Sequence, residues 1–190
     1  MTQRTKFLFL IAIFTLPTIA SFVVFYFFPP DRSSNYGELV RPIVTLPALP
    51  LSRMDGRADV IADGLRGKWL IVTRDSGLCE DVCRKKLYAM RQARQILGRE
   101  QDRLIRVVLV DDNVVPSEKL QAEFEGTLWL SAKALTWTSL MPNDKGDSSG
   151  RASIFAVDTL GNVFMRYSSD PDIKRMSNDL KRVLKASQIG

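Results

Sequence analysis

The chain begins with a block of apolar positions. After Arg4 and Lys6, no charge occurs from Phe7 to Phe28. At about 1.5 Å per helical residue this stretch spans a hydrocarbon core of about 30 Å, so it predicts a membrane helix over 7–28 that tolerates Pro17 and ends at Pro29 and Pro30. Residues 29–55 then show neither helical nor strand periodicity. They are rich in Pro and Ser, with apolar Leu39, Val40, Ile43, Val44, Leu46 and Leu49, the composition of a linker that packs along a domain surface.

From 56 to 190 the pattern changes to alternating elements. The run Lys68 to Thr73 after Gly67 suits a buried strand, and Lys85 to Leu97 reads as an amphipathic helix stopped by Gly98. Leu104 to Val110 is the clearest strand, β-branched and nearly continuous, as at the centre of a parallel sheet. Ser117 caps a short helix to Phe124, and an irregular segment follows over about 125–150. Ser153 to Asp158 and Val163 to Tyr167 flank Gly161-Asn162 as an antiparallel hairpin. A last helix from Pro171 to Ala186 places Ile173, Met176, Leu180, Val183 and Leu184 on one face. Together these predict an α/β sandwich with a single core, organised as a tail (1–6), an anchor (7–28), a linker (29–55) and a domain (56–190).

Charge sets the orientation of the anchor. Arg4 and Lys6 on the short leading tail hold the N-terminus in the cytoplasm, which sends the domain across the membrane. In a bacterium this predicts a single-pass inner-membrane protein with its C-terminal domain in the periplasm. Cleavage after Ala20 would leave the greasy run Ser21 to Phe28 as a new N-terminus, so an uncleaved anchor is expected. The net charge of +6 is spread among acidic residues, and nucleic acid is not an expected partner of an exported domain. A basic face suits anionic lipid or an acidic protein.

The chain has two cysteines and no histidine. Cys79 and Cys83 form a Cys-x-x-x-Cys pair, while Ser-His-Asp catalysis, Cys-His catalysis and His-ligated zinc are all excluded. The pair lies between a strand and the following helix, whose N-terminal amides favour a thiolate. Arg74, Arg84, Lys85 and Lys86 add to that field, whereas Glu80 and Asp81 oppose it. Three uses stay open: thiol–disulfide exchange with Cys79 attacking and Cys83 resolving, Cu(I) binding by the two thiolates, and a structural disulfide. No cofactor is required, and Cu(I) is the metal that two thiolates accommodate.

These features carry a resemblance. The anchor, the linker, Gly67-Lys68-Trp69 leading into a strand, Cys79-Glu80-Asp81-Val82-Cys83 at a helix start, and the late hairpin with Asp158 and Gly161 resemble the Sco family of cytochrome c oxidase assembly proteins. The resemblance implies a thioredoxin-like sandwich with a central mixed sheet. It also implies a partner in an oxidase subunit or another copper-assembly protein, with Cys79 and Cys83 as redox thiols or copper ligands. Two departures stand out. Where the family places a third, histidine ligand, this chain has Ser148-Ser149-Gly150-Arg151-Ala152, and where it places prolines at the motif this chain has Leu78, Glu80 and Arg84. The loss shifts weight from copper carriage to thiol chemistry, or to a non-catalytic interaction module.

Other candidates are weaker. Met141, Met165 and Met176 offer thioethers, Trp129 and Trp137 offer a docking surface, and Asp111, Asp112 and Asp158 sit at strand ends as carboxylates for magnesium. Core packing explains the methionines and tryptophans as well, and turn chemistry the acids.

Overall fold

A computed structural model of the protein describes residues 2–27, 35–47, 50–56, 60–61, 65–131 and 150–187. It divides into two units, Met1–Ser34 and Asn35–Gly190. The first holds helix α1 (Gln3–Phe27), long and apolar enough to cross a membrane, with Pro17 inside it. Its first turn takes in Arg4 and Lys6, ahead of the uncharged stretch, because a helix continues through charges that an apolar count excludes.

The second unit is built on a six-stranded mixed sheet. In chain order the elements are β1 (Glu38–Thr45), β2 (Pro50–Leu51), β3 (Val60–Ile61), β4 (Trp69–Asp75), α2 (Asp81–Ile96), a 3-10 turn (Gly98–Arg103), β5 (Leu104–Val110), α3 (Glu118–Glu123), β6 (Thr127–Ser131), β7 (Ser153–Val157), β8 (Asn162–Ser168) and α4 (Ile173–Ala186). The sheet order is β1-β8-β7-β4-β5-β6, while β2 and β3 pair separately. Strands β4, β5 and β6 run parallel, and β7, β8 and β1 add antiparallel neighbours on the other side of β4. The expected thioredoxin-like sandwich with a mixed sheet is therefore present.

Alternation along the central strands divides the core. Trp69 and Ile71 of β4 and Leu104 and Val108 of β5 face Leu87, Met90, Met176, Leu180 and Leu184 from α2 and α4 in one cluster. Leu70 and Val72 point the other way, into a second cluster with Val107, Leu109, Leu130, Phe155, Val157 and Val163. Burial on both faces explains why β4 and β5 read as continuous apolar runs.

Two readings of the sequence need correction. Part of the segment taken as a linker is an integral strand. β1 pairs with β8, and a bulge between Leu39 and Val44 around Pro42 breaks the alternation that would have revealed it. The same stretch then reaches the opposite edge, where Met54 N donates to Trp129 O (2.9 Å) and Ser131 N to Ser52 O (2.8 Å). The chain that precedes the sheet's centre thus forms one edge strand and covers the other edge, β6. The segment taken as irregular also begins with a strand, β6, which opens immediately after Gly126 and buries Trp129. Trp137, Met141, Ser148 and Ser149 lie outside the described residues.

Arg106 is the one strongly basic intruder among the buried positions of β5. Its Nη2 donates to the Glu125 carbonyl, but Nε and Nη1 are buried without a partner. Burial lowers its pKa to about 10, with further lowering from Arg94 and Arg91. Since an unsatisfied buried donor costs about 1–3 kcal/mol, Arg106→Met is expected to stabilise the fold by about 1–2 kcal/mol, read as a higher denaturant midpoint. An unchanged or lower midpoint would show that the guanidinium is better satisfied than its contacts indicate.

Candidate functional site

The site forms where β4 runs out. Ser76 N donates back to Asp75 Oδ1 (2.8 Å), Leu78 N to Ser76 Oγ (3.1 Å) and Cys79 N to Ser76 O (3.1 Å), which turns the chain tightly toward α2. Asp112, just beyond β5, accepts from Gly77 N and from Val114 N, both at 3.1 Å. Gly77 lies so close to the Val114 carbonyl that any Cβ there would collide with it. The turn leaves Cys79 with φ 48°, a left-handed conformation that costs an L residue roughly 1–2 kcal/mol. The helix starts at Asp81, a turn earlier than the apolar periodicity indicates, so Cys83 sits on its first turn. The two Cα atoms are brought to 5.0 Å, and the cysteines are joined in a disulfide.

Both cysteines are 1% exposed, so burial does not distinguish the expected attacker Cys79 from Cys83. A cavity of about 560 Å³ is lined, among the described residues, by Asp75, Glu80, Asp81, Val82, Cys83, Arg151 and Ala152, and Cys79 is not among them. Around this buried bond two apolar side chains face solvent, Leu78 at 68% and Val82 at 53% exposure.

The charges are more nearly balanced than the sequence suggests. Lys86, three residues after Cys83 and 0% exposed, sets its ammonium 2.8 Å from Asp75 Oδ2 and donates to the carbonyls of Arg74 (3.0 Å) and Arg151 (2.5 Å). Arg74 Nε meets Asp111 Oδ2 at 2.7 Å, and Arg151 grips the same carboxylate through Nε (3.1 Å) and Nη2 (2.5 Å). That carboxylate raises the pKa of Arg151 above its ordinary value, against the opposing effect of burial. Arg84 pairs with Glu123 at 2.8 Å, and Lys85 lies 3.8 Å from Asp170. All four cations expected to act on the thiols thus hold carboxylates of their own.

The remaining candidates resolve into structural roles. Asp111 anchors two arginines, Asp112 clamps the turn, and Asp158 accepts from Leu160 N, Asn162 N and Asn162 Nδ2 in the hairpin. Met165, Met176 and Trp129 are buried in the core. Among the described residues no group of three or more His, Cys, Asp or Glu side chains is placed to hold a metal. The sequence reading missed Asp75 and Arg151 as members of the site. It named Lys86 only as a field charge, although Cys83, Lys86, Leu87 and Met90 share the buried helical spacing that marks it as interior.

Two outcomes follow. Removing one partner of a buried ion pair costs about 3–5 kcal/mol, so Lys86→Met should lower stability by that order, and adding Asp75→Leu should restore much of it in a denaturation double-mutant cycle. Asp112 is the pH-sensitive clamp: burial works against its charge, but hydrogen bonds from Ser76, Gly77 and Val114 prevail and hold its pKa below the ordinary value. Its contribution is present above the unfolded value of about 3.9 and is lost as pH falls through the lower folded value. Amide protection at Gly77 and Val114 should therefore fall over that acid range in the wild type, and show no such step in Asp112→Asn.

Comparison with known proteins places this arrangement. Structures sharing the fold include the Thermus thermophilus apo Sco1 protein, with a TM-score of 0.60 at 17% identity, covering 83% of this chain and 99% of that one. Arabidopsis thaliana ScoI with copper bound gives 0.59 at 17% identity, covering 75% and 99%. Bradyrhizobium japonicum ScoI with copper bound gives 0.56 at 18%, covering 73% and 98%. The likeness to Sco proteins expected from the motif is therefore found in the fold. No curated protein matches the sequence. The family described as "Transmembrane-like, thioredoxin-like, C-terminal domain" matches residues 69–187, the strand, turn, helix and hairpin that build the site, and the chain belongs to that family.

Proposed function

We propose that this chain is a membrane-anchored, Sco-like assembly factor for cytochrome c oxidase that acts by thiol–disulfide exchange at Cys79 and Cys83. The observation that carries this reading is the Cys79–Cys83 disulfide at the start of α2, where Cys83 is one of the residues lining a cavity. A purely structural bridge would gain little from closing so short a loop, and it would not need to hold Cys79 at positive φ. Helix α1 is the anchor, 29–55 the connection and first strand, and 56–190 the body of the domain. With Arg4 and Lys6 on the cytoplasmic side, the domain lies in the periplasm, an oxidising compartment where such a pair cycles. The client is a cysteine-bearing oxidase subunit or another protein of copper assembly.

Cu(I) carriage is the second reading, favoured by the copper bound to the Arabidopsis and Bradyrhizobium fold neighbours. Copper is then cargo, held linearly by two thiolates after reduction. A three-ligand site does not fit these residues. The stretch that would supply the third ligand presents Arg151, whose guanidinium is committed to Asp111.

Replacing both cysteines by Ser in the full chain is expected to abolish exchange with a dithiol probe and to lower oxidase activity in membranes. Undiminished oxidase assembly in that strain would eliminate both readings and leave a non-catalytic module. Competition between the reduced protein and a Cu(I) chelator separates them: failure to take Cu(I) leaves exchange alone, and successful competition makes Cys79 and Cys83 a copper site.

A further inference from the structure

Among the described residues four buried side-chain polar atoms make no hydrogen bond, and they belong to three neighbouring side chains: Arg91 Nε, Arg106 Nε, Arg106 Nη1 and Thr127 Oγ1. Arg106 and Thr127 are paired residues on β5 and β6, 5% and 7% exposed. By strand alternation both stand on the face of Leu104, Val108 and Trp129, against which α2 packs. Arg91 reaches the same place from α2. Its Nη1 donates to the Glu123 carbonyl (2.9 Å), two residues before the Glu125 carbonyl that Arg106 Nη2 holds. Three residues along α2, Arg94 Nε donates to the carbonyl of Leu104 (2.9 Å), two residues before Arg106.

Three guanidinium groups therefore converge on one end of β5 with little to balance them. Arg94 also holds Asp102 at 3.0 Å, but that carboxylate side chain is 85% exposed. Arg91 lies over the Phe124 ring at 5.2 Å, and neither it nor Arg106 pairs with a carboxylate among the described residues. The mutual repulsion is felt at Arg106, where Arg94 and Arg91 add to the lowering that burial imposes on its pKa. A water molecule would serve the orphaned donors but leave three like charges facing one another. An oxyanion supplies both acceptors and charge.

The orphaned donors lie beside a cavity of about 440 Å³, and Thr127 belongs to both. Gly126 also lines it, and a Cβ there would stand 3.2 Å from Arg106 Nη2, so the wall next to the guanidinium is bare backbone. Two carboxylates share the wall. Asp55 is held by Arg53 (2.8 Å), and Glu125 is exposed, so solvent screens its charge more than it screens the buried guanidinium groups.

We propose that Arg91, Arg106 and Thr127 form a binding site for a phosphate-class oxyanion, either free or carried by the headgroup of an anionic phospholipid. The site shares no lining residue with the cavity at Cys83 and does not depend on the exchange reading. The two arginines supply charge and N–H donors, and Thr127 supplies a hydroxyl donor. Binding offsets the repulsion and stabilises the folded domain by mass action. Arg106 thus lowers stability without the anion and raises it with the anion.

The test is urea unfolding of the full chain in micelles of an uncharged detergent, with inorganic phosphate exchanged for chloride at constant ionic strength. The wild-type midpoint is expected to rise with phosphate and to saturate. Arg106→Met should abolish that rise, and Thr127→Val should increase the half-saturating phosphate concentration about tenfold, as loss of one hydrogen bond to a charged group does. Nanodiscs of phosphatidylcholine with and without phosphatidylglycerol, in phosphate-free buffer, separate the two sources. A midpoint raised by phosphatidylglycerol in the wild type and not in Arg106→Met assigns the headgroup, and a response to inorganic phosphate alone assigns the free anion. A rise that does not saturate and is equal in the wild type and Arg106→Met is the general effect of an excluded salt and overturns the site. The absence of any response in both arms overturns it as well, leaving the donors to water.

Discussion

An ammonium group with no exposure has to be surrounded by oxygen, and Lys86 finds its oxygens on separate pieces of the chain. The Asp75 carboxylate and the Arg74 carbonyl come from the end of β4, and the Arg151 carbonyl from the residue two positions before β7. Because a buried charge without these partners would cost several kcal/mol, the helix, the strand end and the segment entering β7 are locked in one arrangement. Arg74 and Arg151 extend the lock to β5 by sharing Asp111. The position of Cys83, one helical turn before Lys86, is a consequence of this arrangement.

The turn that carries Cys79 depends on a second constraint, steric in origin. Only glycine fits at position 77 against the Val114 carbonyl, and Asp112 holds both sides of that contact together. Cys79 is then committed to a left-handed backbone that its own side chain disfavours. A polar network fixes one cysteine and a tight backbone contact fixes the other. The disulfide between them joins two differently supported elements.

Much of the architecture was legible from periodicity. β5 was found at its observed limits, and the hairpin and last helix at nearly theirs, because each is buried on a regular face and ended by Asp, Gly or Pro chemistry. Ser117 was recognised as a cap and does accept from Leu120 N (3.3 Å). β1 was missed because it is an edge strand with a bulge and largely exposed side chains, so no alternation was available to read. β6 was missed because five residues are too few to establish a period, and its pairing with β5 comes from tertiary contact.

The sequence by itself determined that a long apolar helix precedes an α/β domain, and that the chain carries two cysteines, Cys79 and Cys83, and no histidine. These follow from residue identity and local spacing, which act over a few turns of chain. Tertiary structure alone decided that Lys86 is interior, that Arg74 and Arg151 converge on Asp111, and that Cys83 lines the cavity while Cys79 does not. Those outcomes depend on groups far apart in sequence competing for the same carboxylates and carbonyls, and only the folded sheet brings the competitors within reach.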